Sequence, residues 1–572
     1  MFHVRAGATT AGSRSQRRRA SYPERQRHRI CAHAASPTSC ASLRAVCFEE
    51  DHLDITASPP LTPRIGLLER LRTGANAGDL AALVAFGVAA VVYVRTLLPG
   101  VGFGDWADAQ LNPDRLGIMH PTGYPLYTLL GKLFTLIPVE SVAWRMNLLS
   151  AVAAAAAVGV AVLIMGRLGV RPVIAAGAGL ALAFTGTLWQ EATFSEMNSL
   201  HLLLVALLLH RALVWWAERR DRDLLIGALL AGLCVSNHGL AITVVPIVAL
   251  FVVVDARREL SARPWLLAGS AAAFVLGLVP YLYLPLRALA GPADVYATFL
   301  TWDGFFAHVS GQQFRGAMHF LSVESVAAAM GAMPQIVDQL VSLSNVVFVG
   351  AGVAGVALLL LRDRWFGLLV VALGAVNVYF YANYMGDLTH YLLTTWLILA
   401  IGLGYAAELG VRQLAGRLGA PAVALAYAIL VLPIALAVAN WSAHDQSANR
   451  DGERFTAEVF AALPLNAVLV TYWDALTPLS YEHCVEGVRP DLSLRAYDEH
   501  ALVTCDLPIP RPLTDVVKRR PVYALVMFPK DLRRQTGLDP IQTTTRIRLP
   551  YGKRYAEYDG FMYKLVADGT TP

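Results

Sequence analysis

The chain has 572 residues, of which 56% are hydrophobic and only 16% charged, with a formal net charge of +5 and a mean hydropathy of +0.48. Soluble domains carry about 25% charged residues, so this composition excludes an ordinary cytosolic enzyme, a disordered chain and a nucleic-acid-binding module. Six cysteines without zinc-ligand spacing exclude a disulfide scaffold, and a polytopic membrane protein remains.

Residues 1–75 read as a disordered basic extension without a catalytic role. Positions 1–30 hold eight arginines against the single Glu24 and lack the apolar core of a secretory signal. Such a segment either lies on anionic lipid or is an unstructured stretch upstream of the true start.

Residues 76–440 hold the membrane domain. A transmembrane helix needs about 20 mostly apolar residues, and eleven candidate stretches meet that pattern: 80–98, 146–165, 172–188, 199–216, 224–236, 239–254, 265–285, 345–361, 365–381, 391–407 and 421–440. The pair 224–236 and 239–254 is short and split only by Asn237 and His238, which suits a re-entrant pair as well as two spans. Residues 441–572 lack any run long enough to cross a bilayer, and short β-type runs such as Ala467–Tyr472 and Val522–Phe528 predict a small α/β domain. Within it Cys484 and Cys505 are either a disulfide or two buried thiols.

Loop charge fixes an expected orientation. With the N-terminus inside, the inner loops 166–171, 217–223, 255–264, 362–364 and 408–420 hold every one of Arg167, Arg171, Arg219, Arg220, Arg222, Arg257, Arg258, Arg263, Arg362, Arg364, Arg412 and Arg417. The short outer loops 189–198 and 382–390 hold no Lys or Arg. Positive charge collects on the cytoplasmic side, so the C-terminal domain is expected outside, at the cell membrane. An odd number of spans, as in eleven, is required for that.

The densest polar sequence of the membrane part then lies in the first outer loop: Gly104-Asp105-Trp106-Ala107-Asp108-Ala109-Gln110, followed by His120-Pro121-Thr122-Gly123-Tyr124-Pro125-Leu126-Tyr127. Two carboxylates three apart share one face of a helical turn. They suit a general base or a divalent cation, or the plain task of capping a short interfacial helix.

This run, continued by Trp144-Arg145-Met146-Asn147-Leu148-Leu149-Ser150, resembles the signature of a bacterial and animal family whose animal member is transmembrane protein 260, a protein O-mannosyltransferase. The family belongs to the GT-C superfamily of polyprenyl-phosphate-sugar-dependent glycosyltransferases. Its pattern is roughly Asp-Ser-Gly-Glu, a spacer, then His-Pro-Pro-Gly-Tyr-Pro-Leu. Here Asp108 stands where the family has Glu, and Thr122 replaces the second proline. Ser195-Glu196-Met197-Asn198, Ser236-Asn237-His238, Tyr283-Leu284-Pro285-Leu286-Arg287 and Asn383-Tyr384-Met385-Gly386-Asp387 resemble later family segments in the same order.

The resemblance implies a GT-C-like helical membrane fold. It also implies transfer of a mannose-like sugar from a polyprenyl-phosphate donor to an exoplasmic hydroxyl on a protein or glycan. Nucleotide sugars do not reach that face, whereas lipid-linked sugars do. By resemblance Asp105 is the expected base and Asp108 its support or a metal ligand. His120, Tyr124, Glu196, Asn237, His238, Arg287 and Asp387 are expected to bind substrate, with metal dependence open. An arginine fork such as Arg287 suits phosphate, and equally suits a headgroup anchor. Trp302-Asp303-Gly304-Phe305-Phe306 is expected to lie at headgroup depth. The competing class is a transporter or flippase, which calls for ionisable residues inside spans or an internal repeat; neither is evident in the sequence.

Overall fold

The computed structural model describes residues 76–567, apart from 292–300, most of 318–344, 385–388, 419–423, 497–511, 528–529, 531 and 552–553. The basic extension 1–75, Asp387 and Cys505 therefore lie outside the described residues.

Helix α1 (Ala77–Arg95) opens the bundle, with Asn76 accepting the amides of Gly78 and Asp79 at its start. The first loop carries two short helices, α2 (Asp105–Arg115) and α3 (Pro125–Thr135). Long α4 (Val142–Arg167) follows, its first turn capped by the Ser141 hydroxyl on the Trp144 amide. Then come α5 (Pro172–Ala183) and α6 (Gly186–Thr193), bent 68° to one another, and α7 (Met197–Glu218). Helix α8 (Asp221–Asn237) hands over through His238 and a 3₁₀ turn, Gly239–Thr243, to α9 (Val245–Ala262). Helices α10 (Pro264–Gly277) and α11 (Tyr283–Ala290) follow, with a bend of 42° in their stretch, then the short α12 (Trp302–Val309). The last membrane helices are α13 (Val346–Arg362), α14 (Arg364–Asn383), α15 (Leu393–Leu418) and α16 (Val431–His444).

All eleven expected stretches fall on helices. Among the described residues, seven helical stretches are long and apolar enough to span a membrane, or up to nine with each bent pair taken as one. The other two, α8 and α13, have 17 residues each. At Asn237 and His238 the sequence pattern underestimated both partners. Helix α8 starts at Asp221, and the stretch Gly239–Ala262 reaches 24 residues. The last span also runs on to His444, past the expected boundary at 440.

Small residues let these helices approach. Gly352 and Gly355 of α13 press against the backbone at Leu399 and Gly402 of α15, and a Cβ built on Gly355 would lie 1.8 Å from the Gly402 carbonyl oxygen. Only glycine fits such a contact, which sets the α13–α15 distance.

The arginine-rich loops gather acids around them. Arg167 pairs with Glu218, Arg171 and Arg412 share Glu408, Arg211 pairs with Asp223, Arg219 with Asp255, and Arg263 with Asp221. These pairs tie neighbouring helix ends on the side remote from α2.

The C-terminal part begins with α17 (Asp451–Ala462) and builds a five-stranded sheet in the order β2-β1-β3-β5-β4. Strand β1 (Val468–Thr471) lies between β2 (Ser493–Ala496) and β3 (Val522–Leu525) and is parallel to both. The antiparallel pair β4 (Asp539–Tyr551) and β5 (Arg554–Val566) completes it against β3. Helix α18 (Trp473–Cys484) follows β1 directly, and Cys484 is disulfide-bonded. One apolar core holds Val101, Phe103, Ala107 and Leu111 of the first loop together with Phe455, Leu469, Leu476 and Leu479 of this domain. Burial of that shared core seats the domain on the first loop.

Candidate active site

Helix α2 is polar by sequence yet almost wholly buried, because it is sandwiched between the bundle and α18. Burial of a polar helix requires its side chains to be paired. Gln110 accepts the Gly102 amide and donates to the Gly100 carbonyl and to Asn147, which in turn donates to the Leu98 carbonyl. The chain enters α2 through Gly104 at φ 56° and leaves through Leu116 in the left-handed region. Asp105 and Asp108 both occupy the first turn, where the helix dipole favours negative charge.

The two carboxylates have different fates. The Asp105 side chain is 41% exposed and lines a cavity of about 1930 Å³. Its Oδ1 accepts a 2.9 Å hydrogen bond from Nε1 of Trp473. Asp108 is fully buried: Oδ1 accepts from Asn112 at 2.6 Å, and Oδ2 lies 2.7 Å from Nδ1 of His120 and accepts its amide at 3.2 Å. His120 is thereby held with Nε2 4.0 Å from Asp105 Oδ1. Burial pushes the Asp108 carboxyl upward, while its hydrogen bond and charge interaction with His120 pull it back. Burial likewise opposes a charged His120, but Asp105 and Asp108 outweigh it and raise the imidazole to about 9. The three groups form a carboxylate–imidazolium–carboxylate array with one carboxylate open to the cavity.

Tyr124 begins α3 at φ 41°, following Gly123 at φ 89°, and donates its hydroxyl to the Pro121 carbonyl. Its ring lies between those of His120 and His238, at 5.0 and 5.2 Å between centroids. Burial raises the phenol well above its usual range. The bent path fixed by prolines and glycines thus places His120, Thr122 and Tyr124 along one cavity wall.

The expected substrate contacts divide. Glu196 and His238 line the cavity with Asp105, His120 and Tyr124. Glu196 accepts from Asn198 at 3.2 Å, and its backbone is fixed by both directions of bonding with Ser150. Asn237 is away from the lining: it is buried and donates to the Met197 carbonyl, joining the end of α8 to the start of α7. Arg287 is also absent from the lining; its Nε donates to the Leu116 carbonyl at 2.6 Å and Nη2 to that of Arg115 at 3.5 Å. It clamps the exit of α2. Asp108 supports the site from inside the protein rather than opening to it.

Several lining residues lie outside the expected set of site residues, although Arg315, Tyr384 and Tyr391 fall in segments the sequence singles out. Arg315 is exposed in the turn after α12 and reaches Ser310. Tyr384, His390 and Tyr391 lie between α14 and α15, and Trp473 and Asp474 begin α18. A Trp-Asp pair immediately after a predicted strand was the available signal for the last two. The lining also includes the apolar side chains of Ile242, Val245 and Phe274. Trp302 and Phe306 of α12 are mostly exposed, as an interfacial segment requires. Among the described residues, no three His, Cys, Asp or Glu side chains are arranged to hold a metal ion.

Comparison with known proteins places this geometry in context. Residues 111–261 match the Protein O-mannosyl-transferase TMEM260 N-terminal domain, so His120, Tyr124, Glu196, Asn237 and His238 lie inside the matched segment and Asp105 and Asp108 just before it. The chain is 27% identical over 458 residues to the mouse Protein O-mannosyl-transferase TMEM260, covering 74% of this chain and 63% of that one. It is 23% identical over 462 residues to Protein O-mannosyl-transferase tmem260 of Dictyostelium discoideum, covering 71% and 55%. The chain thus spans less than two thirds of the length of these relatives. In fold it is similar to ArnT from Cupriavidus metallidurans bound to undecaprenyl phosphate, with a TM-score of 0.55 at 14% identity, covering 87% of this chain and all of that one.

Proposed function

We propose that this chain, similar in sequence to the TMEM260 proteins and in fold to ArnT, is a membrane glycosyltransferase of the TMEM260-related family. It moves a mannose-like sugar from a polyprenyl-phosphate donor to an exoplasmic hydroxyl, on a protein Ser or Thr or on a glycan. The supporting observation is the partly exposed Asp105 carboxylate on the wall of a cavity whose lining also includes Arg315 and the apolar Ile242 and Phe274. An isoprenoid chain suits the apolar wall near Ile242 and Phe274, and a phosphate suits the Arg315 guanidinium. The fold neighbour's undecaprenyl phosphate is consistent with a donor of this class.

The acceptor hydroxyl gives its proton to Asp105 as its oxygen bonds to the anomeric carbon. The bond from that carbon to the phosphate oxygen breaks, and the electron pair leaves with the polyprenyl phosphate. Asp105 and Asp108 both favour the charged form of His120, which lies beside the Asp105 carboxylate. Glu196, Tyr124 and His238 line the space for the sugar. Residues 76–444 act as the transferase domain, and the following sheet domain faces the same exoplasmic side as Asp105. The N-terminus is then cytoplasmic, as the arginine-rich loops require.

Asp105→Asn tests this reading in purified protein supplied with a polyprenyl-phosphate sugar and a hydroxyl acceptor. Loss of a general base lowers turnover by about 10² to 10⁴ while the protein still inserts and folds. Full activity in that variant overturns the assignment.

A further inference from the structure

We propose that Trp473, from the soluble domain, is a positioning residue for the Asp105 base, so that the C-terminal domain completes the active site. The inference rests on the transferase reading and extends it across the domain boundary. Three observations carry it. First, Trp473 Nε1 donates to Asp105 Oδ1 at 2.9 Å across 368 residues of sequence, and both residues line the same cavity. Second, Trp473 is the first residue of α18, just after strand β1, so its place is fixed by a strand paired on both sides. Third, the domain carrying it is seated on the first loop by a shared apolar core and by Tyr481, whose hydroxyl accepts the Ala143 amide at 2.8 Å.

The chemistry follows from the geometry. An N–H bond to one carboxylate oxygen fixes the plane of the carboxylate that faces the cavity. It also favours the ionised carboxylate. The Trp473 ring is edge-on to His120 at 6.0 Å, so it also limits movement of the imidazole that faces Asp105. Among the described residues, the charged and titratable groups that face the Asp105 side of the cavity include His120 and Asp108 of the first loop, Tyr124, Glu196, His238, Arg315, Tyr384, His390, Tyr391 and Asp474. All are retained when the indole alone is changed, so a change in Asp105 titration reports the lost N–H.

Trp473→Phe keeps an aromatic ring and removes the donor. Transfer measured against pH with the full chain should show its acid limb moved upward, with the optimum rate lowered about tenfold or more by the freed carboxylate. Tyr472→Phe, which removes a hydrogen bond within the domain to the Pro550 carbonyl, should leave the acid limb in place. An independent readout is the indole N–H resonance of Trp473 in selectively labelled protein. It should shift with pH in the wild type and lose that step in Asp105→Asn. An unmoved acid limb in Trp473→Phe, or a Trp473 resonance indifferent to Asp105→Asn, overturns the proposal. Activity persisting in Asp105→Asn overturns the transferase assignment instead, and the resonance then still reports whether the contact exists.

Discussion

Nδ1 of His120 lies 2.7 Å from Oδ2 of the fully buried Asp108, so the loop between α1 and α4 is built around an ion pair beneath the exposed Asp105. Two carboxylates one helical turn apart thus divide the work. One remains accessible for chemistry, and the other sets the charge behind it.

Removing one partner of a buried pair leaves the other charge uncompensated. Asp108→Ala should therefore destabilise the protein by about 3 kcal/mol and lower transfer well beyond what the loss of stability explains. Thermal unfolding in detergent and a parallel transfer assay would check it. An unchanged melting temperature would mean that His120 finds another partner.

The same pair predicts a pH dependence. His120 has an ordinary value of 6.5 and is raised to about 9 in the fold. The folded state therefore binds the proton more tightly than the unfolded one, and the stabilisation is complete below about 6.5 and lost as pH rises through about 9. Unfolding measured from pH 6 to 10 should show a declining stability that is shallower in His120→Gln.

Arg287 and Arg315 should separate kinetically. Arg287 holds the carbonyls of Leu116 and Arg115; Arg287→Gln should lower kcat by about tenfold or more through a shifted α2 while donor KM stays within about twofold. Arg315 lines the cavity, and Arg315→Gln should raise donor KM by about 10- to 100-fold, the worth of a charged hydrogen bond. The reverse pattern would assign the phosphate to Arg287.

Topology is open to a labelling test. Trp302 is 70% exposed on α12, and Trp302→Cys should react with a membrane-impermeant maleimide on intact cells. Arg364→Cys, in an arginine-rich loop, should react only after permeabilisation. Labelling of Arg364→Cys but not of Trp302→Cys on intact cells would reverse the orientation.

Much of this fold is legible in the sequence because apolar length and arginine placement are local properties. The eleven stretches fall on helices, although α8 and α13 stop at 17 residues and α5 with α6 bends sharply. The carboxylate pair was legible as a pair, but not which member would be buried, since that depends on α18 packing over α2 from far along the chain. Arg287 shows the same limit. Its type suits phosphate, yet two backbone carbonyls of the first loop, more than 150 residues earlier in sequence, claim it. Trp473 carried no signal beyond its place after a strand, because its partner Asp105 is 368 residues away.

Where α13 crosses α15 the backbones touch at Gly355 and Gly402. Tyr391 sits just before α15, eleven positions from Gly402, or about 16 Å along a helical rise. A methyl group at Gly402 must pry the helices apart, and the tilt acts like a lever whose far end carries the tyrosine. Mutational damage to catalysis is thus expected from a site buried among lipid-facing helices that touches no sugar, and such a lesion would be mistaken for a folding defect unless the cavity wall were measured directly.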